Sequence, residues 1–548
     1  MHKGKKNYPN LITSFRMNLK KIILNHDRFS HPERWKTNAL LRFTFVYIKF
    51  LFDLMIIKNP LRMVGKTYRD AVTALNSLQS NYANIMAIRQ TGDRKNTMTL
   101  LEMHEWSRRI GYSASDFNKL NIVHITGTKG KGSTAAFTSS ILGQYKEQLP
   151  RIGLYTSPHL KSVRERIRIN GEPISEEKFA KYFFEVWDRL DSTTSSLDKF
   201  PHMIPGSKPG YFKFLTLLSF HTFIQEDCKS CVYEVGVGGE LDSTNIIEKP
   251  IVCGVTLLGI DHTFMLGDTI EEIAWNKGGI FKSGAPAFTV EKQPPQGLTI
   301  LKERAEERKT TLTEVPPFKQ LENVKLGIAG EFQKSNASLA VMLASEILHT
   351  SNILEEKIKC SSNASIPEKF IIGLQNTKWE GRCQVLEKGK NVWYIDGAHT
   401  KDSMVAASTW FRDMVRLSKR KKILLFNQQS RDANALVNNL YSSVSPEITF
   451  DDVIFTTNVT WKSGSYSADL VSMNTSQEDV EKLKVQESLV KNWNKIDDNR
   501  AKTHVTASIE EANELIETLY DEPADIFVTG SLHLVGGLLV VFDRIDVK

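Results

Sequence analysis

The stretch Asn121 to Tyr145, NIVHITGTKGKGSTAAFTSSILGQY, constrains the fold more than any other part of the chain. Asn121 to Thr126 are mostly β-branched and apolar, and Gly127 to Gly132 place three glycines and two lysines in six positions. Ser133 then opens a run of small and apolar residues at helical spacing. This order predicts strand, glycine-rich loop and helix. Glycine lets the loop backbone approach an anion, the N–H groups of the loop and helix start point inward, and Lys131 adds a full positive charge. Such an element is a cradle for a triphosphate. The usual phosphate-loop pattern ends in Gly-Lys-Ser/Thr, whereas Gly132 here separates Lys131 from Ser133, leaving the narrower form G-T-x-G-K-G-S.

A chain of 548 residues is too long for one core, so two or three domains are expected. A hydrophobic content of 41% and a charged content of 24% are those of an ordinary soluble globular protein. Cys228 and Cys231 form a C-x-x-C, but no second pair stands at zinc-finger spacing and Cys231 begins the apolar run CVYEV. They read as reduced, partly buried thiols of an intracellular protein.

Net charge is +8, unevenly spread. Residues 1–66 hold fourteen Lys and Arg against Asp27, Glu33 and Asp53, a balance of +11 that leaves −3 for the rest of the chain. The basic character therefore belongs to an N-terminal extension and not to a nucleic-acid face, and no nucleic-acid partner is expected. The acid-poor start contains LITSF and LKKIIL, which can form an amphipathic helix of the mitochondrial-presequence type. Ala39 to Ile57 are long enough to suggest a spanning helix, but Arg42, Lys49 and Asp53 fall on one helical face. A helix lying on a membrane or against protein fits better. Met63 stands just past this segment, and a second product starting there would remain in the cytoplasm.

Downstream, TYRDAVTALNSLQ and NTMTLLEMHEWSRRIG have helical periodicity, and RIGLYTSPHLKSVRERIRINGEPIS reads as a strand ending at Thr156 to Leu160. Ser175 begins a capping-box-like SEEK before the amphipathic EKFAKYFFEVWDRL, and residues 191–209 read as a loop. YFKFLTLLSFHTFIQ is a buried helix, and in CVYEVGVGGELDSTNII Glu234 stands where strand gives way to turn. Ligands gather at the carboxyl ends of strands in open α/β sheets, and a carboxylate there can hold magnesium on nucleotide phosphates. Asp261 and His262 form another strand-end pair, and Asp396 and His399 a third, in VWYIDGAHT. KKILLFNQQSRDANALV repeats strand, loop and helix with Arg431 and Asp432 in the loop, residues 458–502 read as a polar, charged insertion with a helical patch, EDVEKLKVQESLVKNW, and DIFVTGSLHLVGGLL closes the chain. Alternating strands and helices predict an α/β protein: an N-terminal P-loop ATPase-type domain with a mostly parallel sheet, then a C-terminal Rossmann-like domain.

The loop GTKGKGS resembles the ATP-binding loop of the Mur ligase superfamily, and within it the folylpolyglutamate synthases. TSPHL, YEVGVGGELDSTN, GIDHT, the Lys277 segment, WEGR, DGAHT and TGSLHLVG follow in that family's order, over roughly residues 67–548. The resemblance implies three parts: the extension 1–66, an ATP-binding domain 67–380 and a ligase domain 381–548. It implies ATP binding by Gly127, Thr128, Gly130, Lys131, Gly132, Ser133, Asn336, Arg382 and Asp396. Magnesium falls to Ser157, Glu234 and His262, with a monovalent cation as a further expectation. Lys277 aligns with a lysine carbamylated in many superfamily members, although Asn276 and Gly278 depart from the commoner Glu-Lys-Ala. Phe332 replaces the histidine of G-x-H-Q-x-x-N-A, while Gln333 and Asn336 are kept.

The implied reaction joins L-glutamate to the γ-carboxylate of tetrahydrofolate or its polyglutamates through an acyl phosphate. Lys131 and Arg382 serve phosphoryl transfer, while His399 and Asp396 act on the incoming amine or position it. The expected setting is a monomer of mitochondrion and cytoplasm, with peripheral association at the mitochondrial membrane. Dihydrofolate synthase, using the same ATP chemistry, is the sibling reading. A P-loop ATPase switch at a mitochondrial membrane is the reading from another class.

Overall fold

The computed structural model describes residues 66–79, 98–429, 432–465, 468–470 and 483–546. The basic extension up to residue 65, with its amphipathic stretches and Met63, lies outside the described residues, as does Arg431. No described helix is long and apolar enough to cross a membrane.

Two sheets organise the rest. The first contains β1 (Ile122–Thr126), β2 (Ile152–Tyr155), β3 (Ile167–Ile169), β4 (Glu172–Pro173), β5 (Ser230–Glu234), β6 (Val252–Val255), β7 (Ala287–Val290) and β8 (Leu312–Val315). Their order is β4-β3-β2-β5-β1-β6-β7-β8, parallel from β2 to β8 and antiparallel only at the short β2-β3-β4 edge. All five residues of β1 are buried, because both faces of a parallel sheet are covered by helices. Side chains alternate between two cores. Val232 meets Phe137 and Ile141 of the helix Lys131–Leu142 and Leu343 of the helix Gln333–Thr350. Its neighbour Tyr233 faces Phe183 and Phe220 of the helices Glu176–Ser192 and Tyr211–Gln225.

The second sheet contains β9 (Gln384–Lys388), β10 (Asn391–Ile395), β11 (Lys421–Phe426), β12 (Asp452–Phe455), β13 (Lys502–Val505) and β14 (Ala524–Thr529). Its order is β13-β12-β11-β14-β10-β9, parallel except for the β9-β10 hairpin. The architecture is thus the expected α/β one, with a mostly parallel sheet in each half.

Two local expectations are corrected. Ser175 does cap its helix, accepting the Lys178 N–H at 3.2 Å, but Lys178 cannot return the bond that a Glu or Gln would give, so no capping box forms. The described part of 458–502 is no mere insertion. The helix Lys484–Ile496 is the crossover between β12 and β13, with Leu489 and Trp493 buried in the core of the second half. Trp493 lies 5.6 Å from Tyr441 and 5.9 Å from Phe450, ring centre to ring centre.

Candidate active site

The phosphate loop leaves the carboxyl end of β1 in the middle of the first sheet, and its three glycines have different tasks. Gly127 adopts φ +144°, and a side chain there would overlap the Thr256 hydroxyl and come within 2.9 Å of the Thr256 N. Gly130 has φ +90° and would bring a Cβ within 2.8 Å of the Asn336 Cγ. Gly132 lies inside the helix, with the Trp379 Nε1 nearest at 3.4 Å. The helix Lys131–Leu142 has no side-chain cap and no acidic residue in its first turn, so its leading N–H groups are left for an anion.

Thr128 lines the cleft, and its hydroxyl donates to Gly259 O at 3.0 Å and accepts the Gly259 N–H at 3.1 Å, pinning the loop beyond the end of β6. Ser133 accepts from Gln333 Nε2 at 3.2 Å, and Gln333 accepts from Asn336 Nδ2 at 2.8 Å. The helix Gln333–Thr350 therefore braces the loop from beside it. Lys131 Nζ donates to Gly127 O at 3.1 Å. The buried Lys277 donates to the same carbonyl at 2.7 Å, from beneath. Burial, and then Lys131, hold the Lys277 amine well below its usual pKa. The neutral amine is thereby favoured, and Lys277 stands as a support of the loop.

Glu234 ends β5, the neighbour of β1, and accepts the Ser157 N–H at 2.9 Å. Burial raises its pKa against the opposing pull of Lys131, the Ser157 N–H and Arg382. Asp242, not singled out from sequence, comes close to the same place: a Cβ on Gly236 would lie 3.2 Å from its Oδ2 and 3.9 Å from the Ser157 Oγ. A hydroxyl and a carboxylate are hard oxygen donors of the kind magnesium takes, and magnesium keeps several ligands for water and phosphate. The pair Ser157 and Glu234 therefore fits that ion. His262, exposed on a left-handed turn, lines the same cleft. Among the described residues no three His, Cys, Asp or Glu side chains cluster as a metal site, and the expected set of Ser157, Glu234 and His262, with only two such side chains, lies along one cleft lining.

The second half contributes from the end of β10. Asp396 is buried and accepts the Cys383 N–H at 2.8 Å. Burial raises its pKa, with Arg382 opposing. Arg382 Nη1 donates to Gly381 O at 3.0 Å, and a Cβ on Gly397 would lie 2.9 Å from that same nitrogen, so glycine at 397 leaves the guanidinium its path. His399 Nδ1 lies 2.8 Å from Gly397 O; as only an N–H can bond a carbonyl, Nδ1 carries a proton, and in the neutral form of the ring Nε2 is the acceptor.

Lys131, Ser157, Glu234, His262, Asn336, Arg382, Asp396 and His399 all line one cleft of about 1540 Å³ between the strand ends of the two halves. A single small ligand needs about 300–1,000 Å³, so the cleft has room for a nucleotide and a second molecule. Sequence reasoning missed His159 and Arg166, which also line it. Their signal was the run of arginines after TSPHL. The five cysteines are free thiols, Cys228 and Cys231 buried, as expected.

Comparison with known proteins places this geometry. Residues 381–541 match a family model described as the C-terminal domain of dihydrofolate synthetase. The chain is 99% identical, over all 548 residues of both, to a folylpolyglutamate synthase of Saccharomyces cerevisiae (strain FostersB). It is 51% identical to a folylpolyglutamate synthase of Candida albicans over 87% of this chain and 96% of that one. A probable folylpolyglutamate synthase of Schizosaccharomyces pombe is 44% identical over 91% and 98%. Among solved structures, the folylpolyglutamate synthase of Thermotoga maritima is 25% identical with TM-score 0.57, over 81% of this chain and 94% of that one. The Mycobacterium tuberculosis enzyme complexed with ADP shares the fold at 21% identity and TM-score 0.63, over 84% and 99%.

Proposed function

This chain belongs to the folylpolyglutamate synthase family, and from that premise we propose how its cleft joins glutamate to a folate with ATP. The activity is that of an ATP-dependent ligase. The observation that carries the assignment of roles is the convergence of Lys131, Glu234 and Ser157 from the first half with Arg382, Asp396 and His399 from the second on one cleft.

An amide does not form from a carboxylate in water without activation. The γ-carboxylate of the folate's terminal glutamate attacks the γ-phosphorus of ATP, ADP leaves, and the amine of L-glutamate then displaces phosphate from the acyl phosphate. Phosphoryl transfer is chiefly positioning and charge neutralisation. The uncapped N–H groups of the loop receive the phosphates, and Lys131 moves from Gly127 O to them. Arg382, a planar and permanent cation, meets the migrating phosphoryl group from the other half. Magnesium held by Ser157 and Glu234, with His262 at the cleft lining, would supply charge neutralisation for the phosphates. His399 Nε2 is the acceptor for the proton of the incoming amine, with Asp396 anchoring the Cys383 N–H next to Arg382 and facing the Arg382 charge. Burial and then Lys131, which lower the Lys277 pKa, shift it toward the uncharged form that carbamylation requires.

The test is ADP release with magnesium and ATP, adding tetrahydrofolate monoglutamate, dihydropteroate and glutamate in turn, with mass analysis of the pterin product. Turnover needing tetrahydrofolate and glutamate, with products heavier by successive glutamyl units, is expected. The match of 381–541 to the dihydrofolate synthetase domain favours dihydropteroate as the second acceptor to try. ADP release indifferent to every addition would leave only an ATPase. For location, the +11 balance of residues 1–66 supports mitochondrial import, with a product starting near Met63 staying in the cytoplasm. A reporter fused to residues 1–66 should enter mitochondria, and one fused from Met63 should not. Peripheral membrane association and a monomeric state are read with it, to be checked by carbonate extraction and sedimentation.

A further inference from the structure

Arg166 lines the cleft, and the reaction above leaves its donors idle. It directly precedes β3 and is 4% exposed. Its Nε donates to His159 Nδ1 at 2.9 Å, while Nη1 is buried with no hydrogen-bond partner. Neither terminal nitrogen meets a carboxylate or carbonyl among the described residues. Arginine cannot shed its proton, so the fold holds a buried cation with an open fork of donors. The Glu234 carboxylate feels this charge without bonding the fork, so the open donors remain costly unless an anion arrives to pair with them. The rings of Tyr211 and Phe212, 5.9 and 5.6 Å from the guanidinium carbon, can stabilise the charge but offer no lone pair to its N–H groups.

The fork is also oriented. Because Arg166 Nε donates to His159 Nδ1, the ring proton is on Nε2, and that nitrogen donates to Asp469 O at 2.8 Å. Asp469 lies in the short turn Ala468–Leu470, a part of the second half that reaches back to the first. Its carboxylate accepts the Val163 N–H at 2.8 Å and the Tyr68 hydroxyl. The second half therefore fixes the histidine that fixes the arginine.

We propose that Arg166 binds the α-carboxylate of a glutamyl group at the place where the amide forms, with His159 and the turn at Asp469 as positioning groups. This rests on the glutamylation reading above. A planar guanidinium fork matches a carboxylate in two parallel bonds. The γ-carboxylate of the acceptor must stay free to attack, so the α-carboxylate beside it is the group to anchor. Both the acceptor's terminal residue and the incoming glutamate carry one. Tyr211 and Phe212 beside the fork suit the aryl ring next to the acceptor's glutamate, which puts the acceptor first.

The experiment uses the full chain and two substrates that lack the α-carboxylate: a folate ending in a 4-aminobutyryl group in place of glutamyl, and 4-aminobutyrate in place of incoming glutamate. Wild-type protein that forms no glutamylated folate from the natural substrates would refute the functional reading itself. With that activity present, Arg166→Gln is expected to lose about 10- to 100-fold in kcat/KM for the natural pair, the cost of a charged hydrogen bond. It should also lose the wild-type discrimination against one of the two truncated substrates, and which one names the source of the carboxylate. Arg166→Lys, which keeps the charge without the fork, should fall between, and carries the same comparison if Arg166→Gln does not fold. Asp469→Ala should raise KM for the same substrate with little change in kcat. Discrimination against both truncated substrates unchanged in the Arg166 variant overturns the proposal.

Discussion

Replacing Gly130 by alanine separates the glycines that the phosphate loop requires from the one it merely contains. At φ +90° an L side chain sits in the left-handed region, at about 1–2 kcal/mol. The new Cβ would also press on the Asn336 amide and displace it from Gln333, a further ~1 kcal/mol for the 2.8 Å bond. The stiffer unfolded chain offsets about 0.4–1 kcal/mol, leaving a net loss of about 2 kcal/mol. Gly132→Ala in the same motif meets nothing closer than 3.4 Å, has ordinary helical geometry, and should gain up to about 1 kcal/mol. Thermal and denaturant unfolding of the nucleotide-free chain measures both. At roughly 2–4 °C per kcal/mol for a domain of 150–250 residues, Gly130→Ala should melt several degrees below wild type and Gly132→Ala at or above it. Equal stability of the two variants, or Gly132→Ala as the weaker, would refute the reasoning.

Trp493→Ala should cost about 3–5 kcal/mol in denaturant unfolding, because the ring is buried in the second core; a loss under about 1 kcal/mol would return 484–496 to the status of an insertion. Burial raises the Glu234 pKa above its unfolded value of 4.5, so the stability linked to this group is present below pH 4.5 and lost as pH rises through the folded value. Glu234→Gln should therefore gain stability relative to wild type as pH rises from 4 to 7 without nucleotide, while turnover falls; a wild type that gains on the variant instead would contradict the burial argument. His399→Asn can keep the donor to Gly397 O but removes Nε2. If His399 takes the amine proton, kcat drops about 10²–10⁴-fold and the acidic limb of the pH profile disappears, whereas near-normal kcat would mean that it only positions.

What the sequence determined by itself was whatever is encoded locally. The strand, loop and helix around GTKGKGS, the alternation that yields parallel sheets, and the strand-end positions of Glu234 and Asp396 all follow from periodicity and glycine placement within a few residues. The crossover helix was legible as a helical patch, since Val485, Leu489, Trp493 and Ile496 lie at helical spacing, but the charge of its exposed face concealed that this stripe belongs to the core. Tertiary structure alone decided the rest. Gly127 and Gly130 are required because Thr256 and Asn336, far along the chain, pass against them, and no local rule tells them from Gly132. Lys277 lies under Gly127 across 150 residues of sequence, and Asp469 reaches His159 across 310. Burial of the Arg166 fork with Nη1 unpartnered likewise arises only when the strand edge, the aromatic pair and the second half close around it. A sequence states which charges are present, but only packing removes water from them, and it is the removal of water that turns a surface arginine into a binding site.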